Sequence, residues 1–208
     1  LVPVEYGHEI RIGGVRATLH PAGHMLGAAL VELGLGDVSL LFSGDLGRPH
    51  DPLLRAPSPP PPATYLVVES TYGNRRHDAC DPKQLLADVI NRTVARGGII
   101  LVPSFAVGRA QLLLHLIERL KQANAIPDVP VFLNSPMAAS ATRLYHRYPN
   151  EHRLTPAQCD AMCRTAQIVT TEAESRELNR RGGPMIVIAA SGMATGGRVV
   201  HHLKAFAP

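Results

Sequence analysis

Two short segments of the sequence place a metal-binding type of side chain beside a turn. His24 follows Pro-Ala-Gly, and Asp45 follows Ser-Gly at the end of an apolar stretch. Imidazole and carboxylate groups are ligands of zinc and other divalent ions, and a carboxylate can bridge two ions ~3.5–4 Å apart. We expect both residues at strand ends, where loops build sites. Ordinary turn residues explain the same pattern, so the two residues alone leave both interpretations open.

Glu69 is a third candidate for chemistry. It closes the apolar stretch 64–69, which predicts a buried strand, and a Ser-Thr-Tyr-Gly segment follows it. A carboxylate at the end of a buried strand needs a hydrogen-bonding or charged partner. In that position Glu69 could orient a histidine or take part in proton transfer. A plain turn cluster is the alternative, because Ser, Thr and Gly favour turns.

Two small-residue turns could bind an anion. Each of the segments 103–111 and 190–198 is predicted to join the end of a strand to the start of a helix. The first-turn amides of a helix and an arginine can hold a phosphate there. Neither segment matches a Walker loop or the Gly-x-Gly-x-x-Gly pattern, and a structural tight turn explains each one equally well. The candidate phosphate-binding residues are Ser104, Arg109, Ser191, Gly192 and Arg198.

The cysteines and the other histidines give weaker signals. Cys159 and Cys163 lie one helical turn apart, but no second pair completes a metal site, which indicates packing residues. Adjacent His201 and His202 point in different directions on a helix and make a poor metal pair. His146 has no convincing partner in the sequence. With only three cysteines a disulfide framework is not expected, which favours a reducing, cytoplasmic setting.

The elements that position these residues change character near residue 73. Before it, the pattern predicts a hairpin over 10–19 and a strand pair over 28–43. After it, strands alternate with helices, which predicts a parallel α/β sheet. The sequence therefore predicts two domains, 1–73 and 74–208. The predicted helices cover 81–96, 107–123, 137–148, 155–164, 172–180 and 198–206, and the predicted strands cover 99–102, 129–133, 168–171 and 185–190.

Composition and charge narrow the class of protein. The chain has 208 residues, 45% of them hydrophobic, which suits a folded core and argues against disorder. No apolar run approaches the ~18 residues of a membrane-spanning helix, so no membrane partner is expected. Residues 1–62 carry 4 Lys/Arg and 6 Asp/Glu, whereas residues 63–208 carry 17 and 11. The basic second part permits a polyanionic partner, although a solvated, mildly basic surface explains it as well.

Five segments in this order resemble the β-CASP family of metallo-β-lactamase-fold nucleases. They are 21–28, 42–48, 68–73, 103–111 and 191–198, and the resemblance covers nearly the whole chain. The branch it resembles most comprises the bacterial and archaeal relatives of the endonuclease that cleaves pre-mRNA at its 3′ end. The resemblance implies the C-terminal part of a metallo-β-lactamase αββα domain over 1–73. A β-CASP α/β domain that caps the metal site is implied over 74–208.

The same resemblance implies roles for single residues. His24 corresponds to a ligand of one zinc ion, and Asp45 to the carboxylate that bridges two zinc ions. Glu69 corresponds to an acidic residue that supports a later histidine near the leaving group, so Asp45 and Glu69 are the implied catalytic residues. The DNA-repair branch of the family usually has Asp at that position, so Glu69 favours RNA. The implied activity is zinc-dependent hydrolysis of single-stranded RNA, endonucleolytic or 5′-exonucleolytic or both, by a protein that could be a homodimer.

The family's His-x-His-x-Asp-His signature does not occur in these 208 residues, nor do the histidine motifs that follow its β-CASP domain. We expect the signature upstream of Leu1 and the chain to be a fragment that keeps two ligands of a two-zinc site. Alone, such a fragment is expected to be inactive and largely metal-free, whereas its parent is a nuclease. A catalytically inactive scaffold that binds RNA or a partner subunit is the main alternative. A small-molecule metallohydrolase is disfavoured by the long α/β section.

Overall fold

The computed structural model describes residues 2–76 and 80–207, which form two compact units. The described residues of the first unit are 2–76 together with Asn150–Arg153, and those of the second are 80–149 and 154–207. Residues 150–153 join the first unit through an isolated antiparallel bridge between Leu54 and His152. The boundary predicted near residue 73 does not place residues 150–153 in the first unit. Leu54 and His152 are distant in the sequence, and no local sequence pattern marks their pairing.

The first unit contains a five-stranded sheet in the order β1-β2-β3-β4-β5. Strands β1 to β4 pair as an antiparallel meander, and β5 joins β4 in parallel. The two antiparallel pairs predicted over 10–19 and 28–43 are confirmed. A small core of Ala22, Leu30 and Leu41 lies against one face. The strands are β1 Glu9–Ile12, β2 Val15–Pro21, β3 Ala29–Leu35, β4 Val38–Phe42 and β5 Tyr65–Val67.

The prediction that residues 64–69 form a buried strand is wrong in one respect. A strand forms, but the residues from Tyr65 to Val68 are 52–61% exposed. Within the described residues of this unit, β5 is the last strand of the sheet and pairs only through its β4 edge. An apolar strand pattern predicts which residues favour a sheet, whereas burial depends on neighbours that the local pattern does not identify.

The second unit contains a wholly parallel four-stranded sheet in the order β6-β9-β7-β8. Strand β9, the last in the chain, lies between β6 and β7, and all five of its residues are buried. The predicted parallel α/β arrangement is confirmed. The strands are β6 Ile99–Pro103, β7 Val131–Asn134, β8 Gln167–Ile168 and β9 Met185–Ala189.

The described residues of this unit form six α-helices, and four of them begin with the side-chain caps that such helices favour. Asp81, Ser135, Thr155 and Thr171 each accept a hydrogen bond from an amide in the first turn. The other two, α2 and α6, begin at Gly108 and Gly197 in the small-residue turns described above. The helices are α1 Pro82–Ala95, α2 Arg109–Gln122, α3 Pro136–Arg147, α4 Pro156–Arg164, α5 Glu172–Arg180 and α6 Arg198–Phe206.

Across residues 2–76 and 80–207, no helix combines the length and the apolar character that crossing a membrane requires.

Candidate metal centre and phosphate-binding turns

His24 and Asp45 lie together at one edge of the first sheet. Nε2 of His24 is 3.8 Å from Oδ2 of Asp45. The reason is the strand order: β2 and β4 both run antiparallel to β3, so their carboxyl ends meet at the same edge. His24 follows β2 and Asp45 follows β4. The sheet thus brings together the two residues that the sequence singled out as metal ligands.

Two glycines allow close backbone contacts around the loops that carry these residues. The Gly47 amide donates a hydrogen bond of 2.8 Å to the carbonyl oxygen of Ala22. A Cβ atom on Gly47 would lie 1.8 Å from the carbonyl oxygen of Gly23, well inside van der Waals contact. A Cβ atom on Gly23 would in turn lie 2.6 Å from the carbonyl oxygen of Arg55. The contact between the two loops therefore requires glycine at position 47, whereas glycine at position 23 is required by the backbone of Arg55.

Glu69 is hydrogen-bonded to the loop that carries Asp45. Its Oε1 accepts from the Leu46 amide at 2.8 Å, and its Oε2 accepts from the Thr71 hydroxyl at 2.6 Å. The Glu69 amide donates to Oγ of Ser43 at 2.9 Å. The Thr71 and Leu46 hydrogen bonds, with a smaller contribution from His24, lower the pKa of Glu69 below its usual value. Glu69 is therefore ionised at neutral pH and acts as an acceptor of hydrogen bonds.

The chemistry and the spacing of His24 and Asp45 fit part of a metal centre. Zinc binds nitrogen and oxygen at roughly 2.0–2.2 Å, so two donor atoms up to about 4 Å apart can contact one ion. The two side chains, 41% and 71% exposed, are open to an ion from solvent. They supply two of the four donors that a tetrahedral zinc ion takes. In the described parts of the chain, the only group of three or more His, Cys, Asp or Glu donors lies in the second unit.

The two small-residue turns of the second unit lie side by side, because β6 and β9 are parallel neighbours. The Ser104 amide donates to the carbonyl oxygen of Ala189, and its side chain is buried and donates to the carbonyl oxygen of Phe105. A Cβ atom on Gly192 would lie 2.8 Å from the Phe105 ring. Ser104 and Gly192 are therefore brought together, and Ser191 precedes Gly192 in the same turn.

The two candidate arginines have different surroundings. Arg109 is exposed, and its guanidinium group makes no hydrogen bond or ion pair with another residue of the described ranges. The guanidinium group of Arg198 donates to Oδ1 of Asn134 at 2.7 Å. It also donates to the carbonyl oxygens of Val169 and Thr170. Arg198 thus fastens the start of α6 to the ends of β7 and β8, whereas Arg109 is available to a ligand.

A buried polar network next to Arg198 has no counterpart in the sequence analysis. Nδ2 of Asn134 donates to Oγ of Ser175 at 2.7 Å and lies 2.6 Å from Nε2 of His202. Nδ1 of His202 lies 2.6 Å from Oδ1 of Asn179. The imidazole therefore accepts at Nε2 and donates at Nδ1, as a neutral ring does. Burial, followed by the charges of His201 and Arg198, lowers the pKa of His202. These residues are dispersed along the chain, so only the fold brings them together.

Comparisons with known proteins give the family. Residues 110–208 match the family model "Beta-Casp domain". Ribonuclease TTHA0252 of Thermus thermophilus is 36% identical over 211 residues, which cover 98% of this chain and 48% of that protein. Transcription termination factor FttA of Lokiarchaeum sp. is 32% identical, with 99% of this chain and 34% of the relative covered. Endoribonuclease YSH1 of Eremothecium gossypii is 34% identical over 153 residues, which cover 71% of this chain and 20% of the relative.

The parallel sheet and the helices of the second unit are consistent with a Beta-Casp domain. The chain belongs to the β-CASP family, as the sequence resemblance implies. It spans about half of the length of the Thermus relative and about a third or less of the other two.

Proposed function

We propose that the full-length protein hydrolyses phosphodiester bonds of RNA in a zinc-dependent reaction, by endonucleolytic cleavage, 5′-exonucleolytic cleavage or both. The observation that carries this proposal is the approach of His24 and Asp45 to 3.8 Å at one sheet edge, with the charged Glu69 carboxylate anchored next to Asp45. The names of the relatives, a ribonuclease, an endoribonuclease and a transcription termination factor, support RNA as the substrate. Single-stranded RNA is the form we propose.

The proposal assigns a role to each site residue of this chain. His24 and Asp45 would hold the metal, which when bound would supply Lewis-acid activation of water and of a phosphoryl oxygen. Glu69 is fixed by the Leu46 amide and the Thr71 hydroxyl, and its lowered pKa keeps it charged. A charged, immobile carboxylate suits the orientation of a protonated histidine near the leaving group better than it suits direct proton donation.

The proposal concerns the full-length protein rather than these 208 residues alone. Two donors cannot hold two zinc ions tightly against water, so we propose that the chain by itself binds little zinc at this centre and cleaves no RNA. The three cysteines are free, which supports the proposed cytoplasmic setting. We also propose that residues 1–73 and 74–208 derive from the two domains of the family, and that the protein can form a homodimer.

Cleavage of labelled single-stranded RNA by the full-length protein, with and without a chelator, tests the function. We expect chelation to stop cleavage and added Zn²⁺ to restore it, because the proposed reaction depends on the metal. RNA binding without cleavage, unaffected by chelator, would support the inactive scaffold instead. Cleavage that survives complete metal removal would refute zinc dependence while leaving the nuclease assignment intact.

Alanine substitutions of Arg109 and Arg198 can be compared to test which arginine contacts RNA. We expect Arg109→Ala to weaken RNA binding and to flatten the slope of log K against log salt by about 0.7, the effect of one phosphate contact on a single strand. Because Arg109 is exposed and its guanidinium group makes no hydrogen bond or ion pair with a described residue, its removal should leave the unfolding midpoint unchanged. Arg198→Ala should lower that midpoint, because it removes the hydrogen bonds to Asn134, Val169 and Thr170.

Filter binding across a salt series, together with thermal unfolding, measures both effects. An unchanged salt slope in Arg109→Ala would remove this residue from the RNA surface. If Arg198→Ala unfolds like the wild type and also flattens the slope, Arg198 contacts phosphate despite its internal hydrogen bonds. We also propose that the phosphate site includes backbone groups of the two turns, those of Ser104, Ser191 and Gly192.

A further inference from the structure

A second group of metal-binding side chains lies in the second unit, between α3 and α4. It consists of His146, Cys159 and Cys163, and one ligand atom from each of them lies within 4.8 Å of the others. His146 is in the last turn of α3, and the two cysteines are on α4. No residue of this group takes part in the nuclease function proposed above.

The packing of α3 on α4 explains why three residues from two helices meet. Cys159 and Cys163 are four residues apart, so their side chains lie on the same face of α4. Thr142 and His146 are likewise four residues apart on α3. Sγ of Cys163 lies 4.0 Å from the carbonyl oxygen of Thr142, and Nδ1 of His146 lies 3.4 Å from Oδ1 of Asp160. Two successive turns of one helix therefore face two successive turns of the other.

The donor set has the chemistry of a zinc site. Two thiolates and an imidazole match the Cys and His ligands that zinc takes in a tetrahedral arrangement, and soft thiolates favour zinc over calcium or magnesium. Zn–S distances of about 2.3 Å and Zn–N distances of about 2.0–2.1 Å place tetrahedral donors roughly 3.5–3.8 Å apart. Donor atoms within 4.8 Å of one another reach these separations by a shift of at most about 1.3 Å, and rotation of the partly exposed His146 side chain can bring its nitrogen atom closer to the sulfur atoms.

The surroundings of the group also suit an ion. Cys159 is buried, Cys163 is half-buried and the His146 side chain is 46% exposed, so the sulfur atoms are sheltered while a path from solvent exists. The Asp160 carboxylate lies 3.4 Å from Nδ1 of His146 and can orient the imidazole ring, as carboxylates do for metal-bound histidines.

We propose that His146, Cys159 and Cys163 bind one Zn²⁺ ion in the full-length protein, with water in the fourth position. The ion joins the last turn of α3 to α4 and stabilises this helix pair. None of its three protein ligands belongs to the proposed nuclease centre. This proposal does not rest on the proposed function.

Cobalt titration of the reduced, metal-stripped full-length protein tests the site. Thiolate bound to Co²⁺ gives a near-ultraviolet charge-transfer band, and neither His24 nor Asp45 supplies sulfur, so Co²⁺ bound by these two residues does not produce this band. We expect the band to saturate at one Co²⁺ per chain and to disappear when Zn²⁺ is added. The double variant Cys159→Ser/Cys163→Ser should lack the band, and His146→Ala should raise the half-saturating Co²⁺ concentration by at least about tenfold.

Cys80→Ser is the matched control, because Cys80 is a free, exposed cysteine outside the group, and it should retain the full band. If the double serine variant fails to fold, His146→Ala carries the test, since that side chain is partly exposed and its loss leaves the helix core intact. The proposal is overturned if reduced wild-type protein shows no charge-transfer band. It is also overturned if the band survives in the double serine variant or is unchanged in His146→Ala.

Discussion

The Asp45→Ala variant of the full-length protein is expected to lose RNA cleavage by at least about a hundredfold, while RNA binding persists. A metal ion that polarises a phosphoryl oxygen lowers the barrier by several kcal/mol, and roughly 3 kcal/mol corresponds to more than a hundredfold in rate. Asp45 is the proposed bridging ligand, so its removal affects both ions of the complete site. The measurement is the single-turnover cleavage rate of labelled RNA, with the metal content of each protein determined in parallel.

Loss of activity in Asp45→Ala cannot be attributed to unfolding. The side chain is 71% exposed and its one ion-pair contact in the described residues is His24 at 3.8 Å, so its removal should change stability by less than about 1 kcal/mol. Asp37→Ala is the matched control, because Asp37 is an exposed aspartate in the β3–β4 turn of the same unit. Asp37→Ala should cleave RNA at the wild-type rate. Wild-type cleavage by Asp45→Ala would show that this carboxylate is not a ligand of the working centre.

The Gly47→Ala substitution is expected to destabilise the first unit by more than about 4 kcal/mol, which is among the largest effects of single substitutions. The added Cβ atom would lie 1.8 Å from the carbonyl oxygen of Gly23 and 2.7 Å from the His24 amide nitrogen. Both atoms belong to backbone, so neither can rotate away as a side chain could. The loop carrying His24 must then separate from the loop carrying Asp45, and RNA cleavage should fall with it.

Amide hydrogen exchange in strands β1 to β4 of the full-length protein shows whether the first unit is the part destabilised by Gly47→Ala. Denaturant unfolding measures the change in the free energy of unfolding. Gly14→Ala is the matched control. Gly14 lies in the β1–β2 turn, and a Cβ atom there would meet nothing within 4 Å. We expect Gly14→Ala to change the free energy of unfolding by less than about 1 kcal/mol. If Gly47→Ala retains wild-type exchange and activity, the close contact of the two loops does not hold the candidate centre together.

Much of the local structure could be predicted from the sequence, because it depends on interactions between residues close in the chain. The Asp81 cap with proline after it starts α1, and the Thr155 cap starts α4, at the predicted positions. Alternation of strands and helices after residue 80 predicts the parallel sheet, since parallel neighbours need crossover connections. The exposure of β5 could not be predicted, because it depends on what packs against the strand.

In the candidate metal centre, too, the sequence predicted the residues but not their contacts. His24, Asp45 and Glu69 were candidates because their side-chain types follow apolar stretches, a pattern that ordinary turn residues explain as well. Their assignment to a site came from the resemblance of five segments, taken together, to the β-CASP family. Their roles as ligands and as a catalytic carboxylate stay predictions, and so do those of the phosphate-binding candidates. Sequence patterns alone do not show that the Leu46 amide and the Thr71 hydroxyl fix Glu69, or that Arg198 donates to Asn134.

By itself, the sequence determined the elements of this protein, the types of side chain at their ends and the family they resemble, since caps, periodicity and motifs act over a few residues. Only the tertiary structure decided which of these side chains meet. Strands β2 and β4 flank β3 and run in the same direction, which brings His24 to Asp45. The packing of α3 on α4 brings His146 to two cysteines that the sequence indicated as packing residues. The first encounter depends on strand pairing and the second on side-chain packing between helices, and neither leaves a signal in the local pattern of either partner.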